Sequence, residues 1–415
     1  MVGNIRSKRF PTAVLFFVAA ATNPATAQER LTLASAERFA LRHNADLTAA
    51  RFRADSALAE LGIARALPNP QLQSSPGLPS QYSVTVPIDV GPQRHYRVSS
   101  QRRGVSAVAY DTSDIRRLVL FAVRQAYCDA QLAAALYAIA GEQREIVRQV
   151  LTADSARLAA GAIPLRDVVK SRVELARAEA ALARAGATAR ATRITLQILM
   201  GVVKPDTGVV VSDLDATELW IPPDSLIALA ATRRPDLLAA DERVYARRSD
   251  VSFARSLLLP TPAVGLVSQP HDPFISGSHY AVAVGLAFPL FNWFSGERSR
   301  ASKSLQLAEL WRDRQTIQVR GELTVTQDSL NTARALLYRY QAGALALSDS
   351  ALAMARYAYA SGATSLVDVF DALRTLSAVR VDYVTALHDY RVSVFALRRA
   401  TGAEPPSPSP IEGAG

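Results

Sequence analysis

The sequence predicts a mainly α-helical chain with a small β part, built from duplicated long helical hairpins and four short strands. Three observations carry this. The 415-residue chain repeats its own pattern after about 200 residues. Each copy holds a very long proline-free stretch, Arg97 to Ala159 and Glu297 to Ser361. Each copy also holds a run of period two, the signature of a strand with two unlike faces. An apolar content of 49% with 20 glycines and 22 prolines excludes a disordered or collagen-like chain. The single cysteine, Cys128, excludes an intrachain disulfide or a cysteine-built zinc site.

Residues 1–27 read as a secretory signal peptide. Arg6, Lys8 and Arg9 precede the apolar run Ala13 to Ala21, and Ala25-Thr26-Ala27 is a small-x-small cleavage site. The apolar run is shorter than the ~20 residues a membrane-spanning helix needs. No cysteine follows Ala27, so a lipoprotein anchor is not expected. Without the three leader cations the net charge falls from +10 to +7, which does not argue for nucleic acid.

Residues 28–201 form the first repeat and 223–402 the second, joined by 202–222 and followed by a Pro-rich tail, 403–415. Asp46 and Arg65 recur as Asp236 and Arg255, at an offset of 190. Gly161, Leu165, Asp167 and Gly201 recur as Gly362, Leu366, Asp368 and Gly402, at an offset of 201. Such a period is too long for a solenoid and marks a duplicated half. In the first half, helical spacing over 32–66 starts at Thr32, a good N-cap, and stops at Pro68 and Pro70. Strands follow at 71–75 and 82–90, with Tyr82, Val84, Val86 and Ile88 on one face and Ser83, Thr85 and Asp89 on the other. The second half has strands at 262–268 and 280–290. There Tyr280, Val282, Val284, Leu286 and Phe288 alternate with small residues. Each strand pair leads into a long helix, about 95 Å at ~1.5 Å per residue. Turns at Gly161-Ala162-Ile163-Pro164 and Gly362-Ala363-Thr364-Ser365 return the chain along 165–200 and 366–401.

Four strands cannot close a barrel, and lipid does not tolerate an open sheet edge. Bacterial barrels have at least eight strands. Two copies of the chain would supply eight, three copies twelve. Alternatively, the apolar face packs on a soluble core. The export signal, the long hairpins and the duplication favour a membrane channel.

The motifs "LPNPQL" and "VPIDVGPQR" in the first half, with "RRPDL", "FPLFNWFSGERSRA" and "SGATSLVDVFDA" in the second, are similar to those of TolC-like outer membrane efflux proteins. The cobalt–zinc–cadmium resistance branch is the nearest, and the resemblance spans about residues 31–402. It implies a homotrimer with a shared 12-stranded barrel in outer membrane lipid and a periplasmic coiled-coil barrel of helices. It further implies a passive exit duct, for divalent metal cations or drugs, that docks to a periplasmic adaptor and an RND-type inner membrane transporter, with no cofactor and no catalysis. By the same resemblance the hairpin tips form a gate. Asp368 and Asp371 match an acidic ring, with Asp167 and Lys170 as first-half counterparts, and Tyr359 matches a latch tyrosine. Thr364 stands where the family has a latch arginine. Gly161, Gly362, Leu165 and Leu366 mark the tip turns where an adaptor would dock. An aspartate just inside a helix start also has a plainer role, stabilising the positive end of the helix dipole.

Other constellations are weaker. His271, Asp272 and Pro273 sit in an expected loop without ligand spacing for a metal. Phe291, Trp293 and Phe294 read either as an aromatic girdle or as a plug where strand meets helix. Arg94, Arg97, Arg102 and Arg103 follow the first strand pair and read as solvated or lumen-facing. No nucleophile–base set or phosphate loop is evident. The main rival is a periplasmic coiled-coil adaptor, which would show one helical hairpin and a separate all-β segment.

Overall fold

The computed structural model describes residues 30–76, 80–89, 91–206, 208–212, 230, 234–270 and 280–402. The leader, the tail, Val90, the His271–Pro273 segment and much of the linker lie outside these residues.

The 32–66 region is two helices, α1 (Leu33–His43) and α2 (Ala45–Arg65), where one was expected. Thr32 does cap α1, in a reciprocal box with Ser35. The break is at Asn44. Its backbone is extended, and its side chain accepts from the N–H groups of Asp46 and Leu47 while donating to Leu199 O at 2.8 Å. An asparagine competes for backbone groups in this way and so restarts the helix.

The strands are β1 (Gln71–Ser75), β2 (Gln81–Pro87), β3 (Thr261–Ser268) and β4 (Tyr280–Ala287). They form one antiparallel sheet in the order β1-β2-β3-β4. β2 and β4 end earlier than the alternation suggested. Ile88 lies just past β2, although its N–H still reaches Pro262 O at 2.8 Å. Phe288 lies just past β4, where Pro289 has no N–H to continue a ladder. The register sorts the faces. Val84 pairs with Leu72 and Leu266, Val86 with Val264, and Val284 with Val264, so these share one face with Tyr82, Tyr280, Val282 and Leu286. The opposite face carries Gln71, Gln73, Ser83, Thr85, Ala263, Gly265, Ala281 and Gly285, none of them charged.

Each strand continues into a helix. The second strand leads to α3 (Pro92–Ala159), which turns back as α4 (Leu165–Met200). In the second half, α5 (Pro235–Ser256) precedes β3. After β4 come α6 (Ser295–Arg339), a π-helical segment (Tyr340–Ala344), α7 (Leu345–Ala360) and α8 (Leu366–Thr401). Next to the sheet the helices pack in the order α2, α3, α5, α6, matching the strand order. Towards the tips, α4 packs on α3, α3 on α8, and α8 on α6 and α7.

The second long helix is not continuous as expected. It is interrupted at Gly343, whose φ of +138° only glycine adopts readily. A π-bulge amounts to one residue inserted into an α-helix. The duplication shows it directly. Val119, Val123 and Ala133 are buried, and so are Val319, Leu323 and Ala333, at an offset of 200. Beyond the bulge, buried Val147 corresponds to buried Ser348, at 201.

The far ends of α4 and α8 close on the starts of α2 and α5. Gly201 and Gly402 end their helices with φ of +86° and +66°. The Asn44 contact to Leu199 O is repeated by buried Arg234, which donates to Ala400 O at 3.0 Å. Arg234 also pairs with Asp236 at 2.7 Å and Glu322 at 2.6 Å, so its buried charge is matched. A Cβ on Gly201 would meet His43 O at 2.4 Å, whereas one on Gly161 meets nothing within 4 Å. Gly161→Ala should therefore cost about 1 kcal/mol, the left-handed penalty alone. Gly201→Ala should cost at least ~2 kcal/mol, since strain and collision add. Denaturation midpoints of the two variants check this order.

Candidate functional site

The two hairpin tips share one backbone design. In the first, Gly161 takes φ +71° and Ala162 N–H returns to Arg157 O at 2.9 Å. In the second, Gly362 takes φ +79° and Ala363 N–H returns to Ala358 O at 2.8 Å. This six-to-one closure satisfies the last carbonyls of α3 and α7.

The side chains at the tips diverge. Pro164 precedes α4 and offers no capping group. Ser365 precedes α8 and forms a capping box with Asp368, whose carboxylate accepts from Ser365 N–H at 3.0 Å and Ser365 Oγ at 2.9 Å. Thr364 Oγ1 donates to the same oxygen. Hydrogen bonds from Thr364 and Ser365 hold the Asp368 carboxyl below the usual carboxylate range. Asp371 lies one turn further along α8, exposed. Asp167 sits 3.7 Å from Arg166. Leu366 is buried in a tip cluster with Val147, Val150, Leu352, Val369 and Phe370, while its counterpart Leu165 is 64% exposed.

Tyr359 is tied to a residue that the sequence did not single out. Its hydroxyl donates to Asp154 Oδ1 at 2.7 Å. Ser171 Oγ donates to the other oxygen at 2.5 Å. Asp154 is fully buried, so one carboxylate joins α3, α4 and α7. The Arg157 guanidinium lies 4.8 Å from the Tyr359 ring centroid. Burial, and then the Asp154 carboxylate, push the Tyr359 hydroxyl up to about 12, so it remains a donor. A signal for Asp154 existed, since it stands seven residues after Val147 on the buried stripe of α3. A second polar tie lies higher up, where His388 of α8 joins Asp129 of α3 at 2.7 Å and Asp389 at 2.9 Å.

Of the first-half arginines, Arg97 pairs with Asp89 at 2.5 Å and Arg103 with Glu242 at 3.2 Å. On the sheet, Tyr82, Val84, Val86, Tyr280, Val282, Val284, Leu286 and Phe288 are exposed, and Ile88 is half-buried. Phe291 and Trp293 project beside them. Asn292 Oδ1 accepts Phe294 N–H at 3.0 Å and helps set Phe294 at φ +50°. Among the described residues, no helix is long and apolar enough to cross a membrane. The sheet carries one exposed apolar face.

The family model for outer membrane efflux proteins matches residues 38–202 and 226–403. The chain belongs to this family. It is 26% identical over 385 residues to the cobalt-zinc-cadmium resistance protein CzcC of Cupriavidus metallidurans, covering 91% of this chain and 92% of that protein. It is 25% identical over 408 residues to the cation efflux system protein CusC of Escherichia coli O157:H7, covering 88% and 84%. In structure it superposes on CusC with a TM-score of 0.78 at 20% identity, covering 89% of this chain and 92% of that one. The open state of the Neisseria gonorrhoeae channel MtrE gives 0.76 at 17%, covering 89% and 88%. An outer membrane efflux channel, with mainly helical protomers and a small sheet, is therefore the fold and the role of this chain.

In this efflux protein, the buried Asp154 loses a charge-assisted donor in Tyr359→Phe. The cost should be about 1.5–3 kcal/mol. In Asp154→Asn the same change should cost less than half as much, and a double-mutant cycle on thermal midpoints reads the coupling.

Proposed function

We propose that three copies close β1 of one chain against β4 of the next, forming a 12-stranded barrel whose apolar face meets outer membrane lipid. The observation that carries this is the sheet itself, with two unpaired edges and one apolar face. With four strands per chain, β4 runs antiparallel to the next copy's β1, so the ladder continues around the ring. Tyr82, Val84, Val86, Ile88, Tyr280, Val282, Val284, Leu286 and Phe288 face lipid in this arrangement. Phe291 and Trp293 lie at its periplasmic rim. The helices continue below as a periplasmic tunnel. The tip turns at Gly161 and Gly362, with Leu165 and Leu366 beside them, engage a periplasmic adaptor that links the duct to an RND-type inner membrane transporter. A leader cleaved near Ala27 takes the chain across the inner membrane.

Divalent metal cations are the proposed cargo, in keeping with the names of the CzcC and CusC relatives. The face of the sheet opposite the apolar one carries no charged residue, which supports a charge-selecting site outside the strands. Asp371 and Asp368, three copies of each, would supply it at the tips by attracting cations. Asp371 carries more of this role, because Asp368 commits one of its two carboxylate oxygens, Oδ2, to its own helix cap. Asp167 and Lys170 offset one another in the first hairpin.

Two outcomes are expected. Gln73→Cys combined in turn with Ala281→Cys, Ala283→Cys and Gly285→Cys should yield oxidised trimers in one register; monomer throughout would refute edge-to-edge closure. In bilayers under a salt gradient, Asp371→Asn should move the reversal potential towards zero more than Asp368→Asn does. An unchanged potential would count against the acidic ring.

A further inference from the structure

The second long helix carries two competing faces beyond its bulge, and only one of them packs within the chain. Above the bulge, the inward residues of α6 are Val319, Leu323, Thr326, Leu330, Ala333 and Leu337. Their spacing alternates four and three, as in a coiled-coil seam. Continued without interruption, that seam would bring Leu347, Ala351, Met354 and Ala358 inward. These residues are not the ones in the core. Leu347 is 73% exposed and Met354 65%. The inward set is shifted by one residue, to Ser348 (6% exposed), Leu352 (5%), Ala355 and Tyr359. The bulge at Gly343 supplies that one residue. In the first copy the seam runs from Val119 through Val147 to Asp154 in unbroken steps of seven, and α3 has no bulge.

Resting on the reading of the chain as a duct that closes at its tips, we propose that the bulge at Gly343 is a register switch for the second hairpin. In the bulged register Tyr359 faces α3 and is bonded to Asp154. In the regular register the bulge is lost, and α7 turns by about 100° and slides by about 1.5 Å. Leu347 and Met354 then enter the core in place of Ser348 and Leu352, and Tyr359 leaves Asp154. Both faces are apolar enough to pack, so the two states compete on similar burial. The bulge is easily lost, because no residue of Tyr340–Ala344 is buried and nothing lies within 4 Å of a Cβ on Gly343. Its anchor is the Tyr340 hydroxyl, bonded to Asp382 on α8. The displaced residue is taken up in the tip turn, where a Cβ on Gly362 likewise meets nothing within 4 Å.

Two variants push the equilibrium in opposite directions. Gly343→Ala disfavours a positive φ and so favours the regular register. Deleting Gly343 removes the inserted residue, which leaves a continuous helix with the present inward face. The readout is the reaction of Leu352→Cys and Met354→Cys, each introduced alone, with a water-soluble maleimide, on the full-length protein in detergent; the native Cys128 is buried. Burial of a thiol should slow labelling about tenfold or more, since reaction then waits on local opening. Gly343→Ala should speed labelling at 352 and slow it at 354. The deletion should leave position 352 protected and hold the pore shut for longer in bilayer recordings. A labelling order unaffected by Gly343→Ala, or exchanged by the deletion, would overturn the switch. Exchanged labelling in a protein that never conducts would instead count against the duct and leave the two registers standing.

Discussion

An antiparallel sheet with both edges unpaired and one apolar face is the constraint on which the rest of this molecule depends. In water such a sheet would invite aggregation through its edges. In lipid each unpaired backbone group costs several kcal/mol. Pairing with further copies removes both penalties. The arrangement of the helices follows from it. Each strand is joined to one helix, and helices next to the sheet keep the strand order, so closing the sheet also closes a ring of helices. The face opposite the apolar one carries short residues, Gly265 and Gly285 among them.

Duplication explains the paired hairpins, and the two copies diverge most at their tips. Both tips use a left-handed glycine and the same returning hydrogen bond. Yet Pro164 leaves the first tip without a side-chain cap, while Ser365 and Asp368 build one at the second. Asp154 has no acidic counterpart in the second copy, where the equivalent position is Ala355. Gly343 has no bulged counterpart in the first. Three changes therefore set the second hairpin apart as the one that is bonded to its neighbour at the tip and offset along its length.

Much of this was legible in the sequence. Both tip turns, the starts of α4 and α8, and the first residue of β1 fall where glycine, proline and alternation put them. These are local signals, written in residues with few conformational options. What escaped were features decided by tertiary contact. Asn44 interrupts the first helix because its side chain serves α2 and Leu199 at once. The bulge at Gly343 looks like ordinary helix until its burial is compared with the first copy. Asp154 is one acid among many until Tyr359 and Ser171 converge on it from positions 205 and 17 residues away in sequence. Of the acids that did stand out, Asp368 has local work in capping that sequence pattern alone does not separate from a role facing the pore.

The most direct measurement on this account is the mass of the purified protein in detergent, before and after heating, together with its single-channel conductance in a planar bilayer. A heat-labile trimer that opens discrete pores is the predicted result. A heat-insensitive monomer that conducts nothing would contradict it, because the four strands would then have to satisfy their edges within one chain.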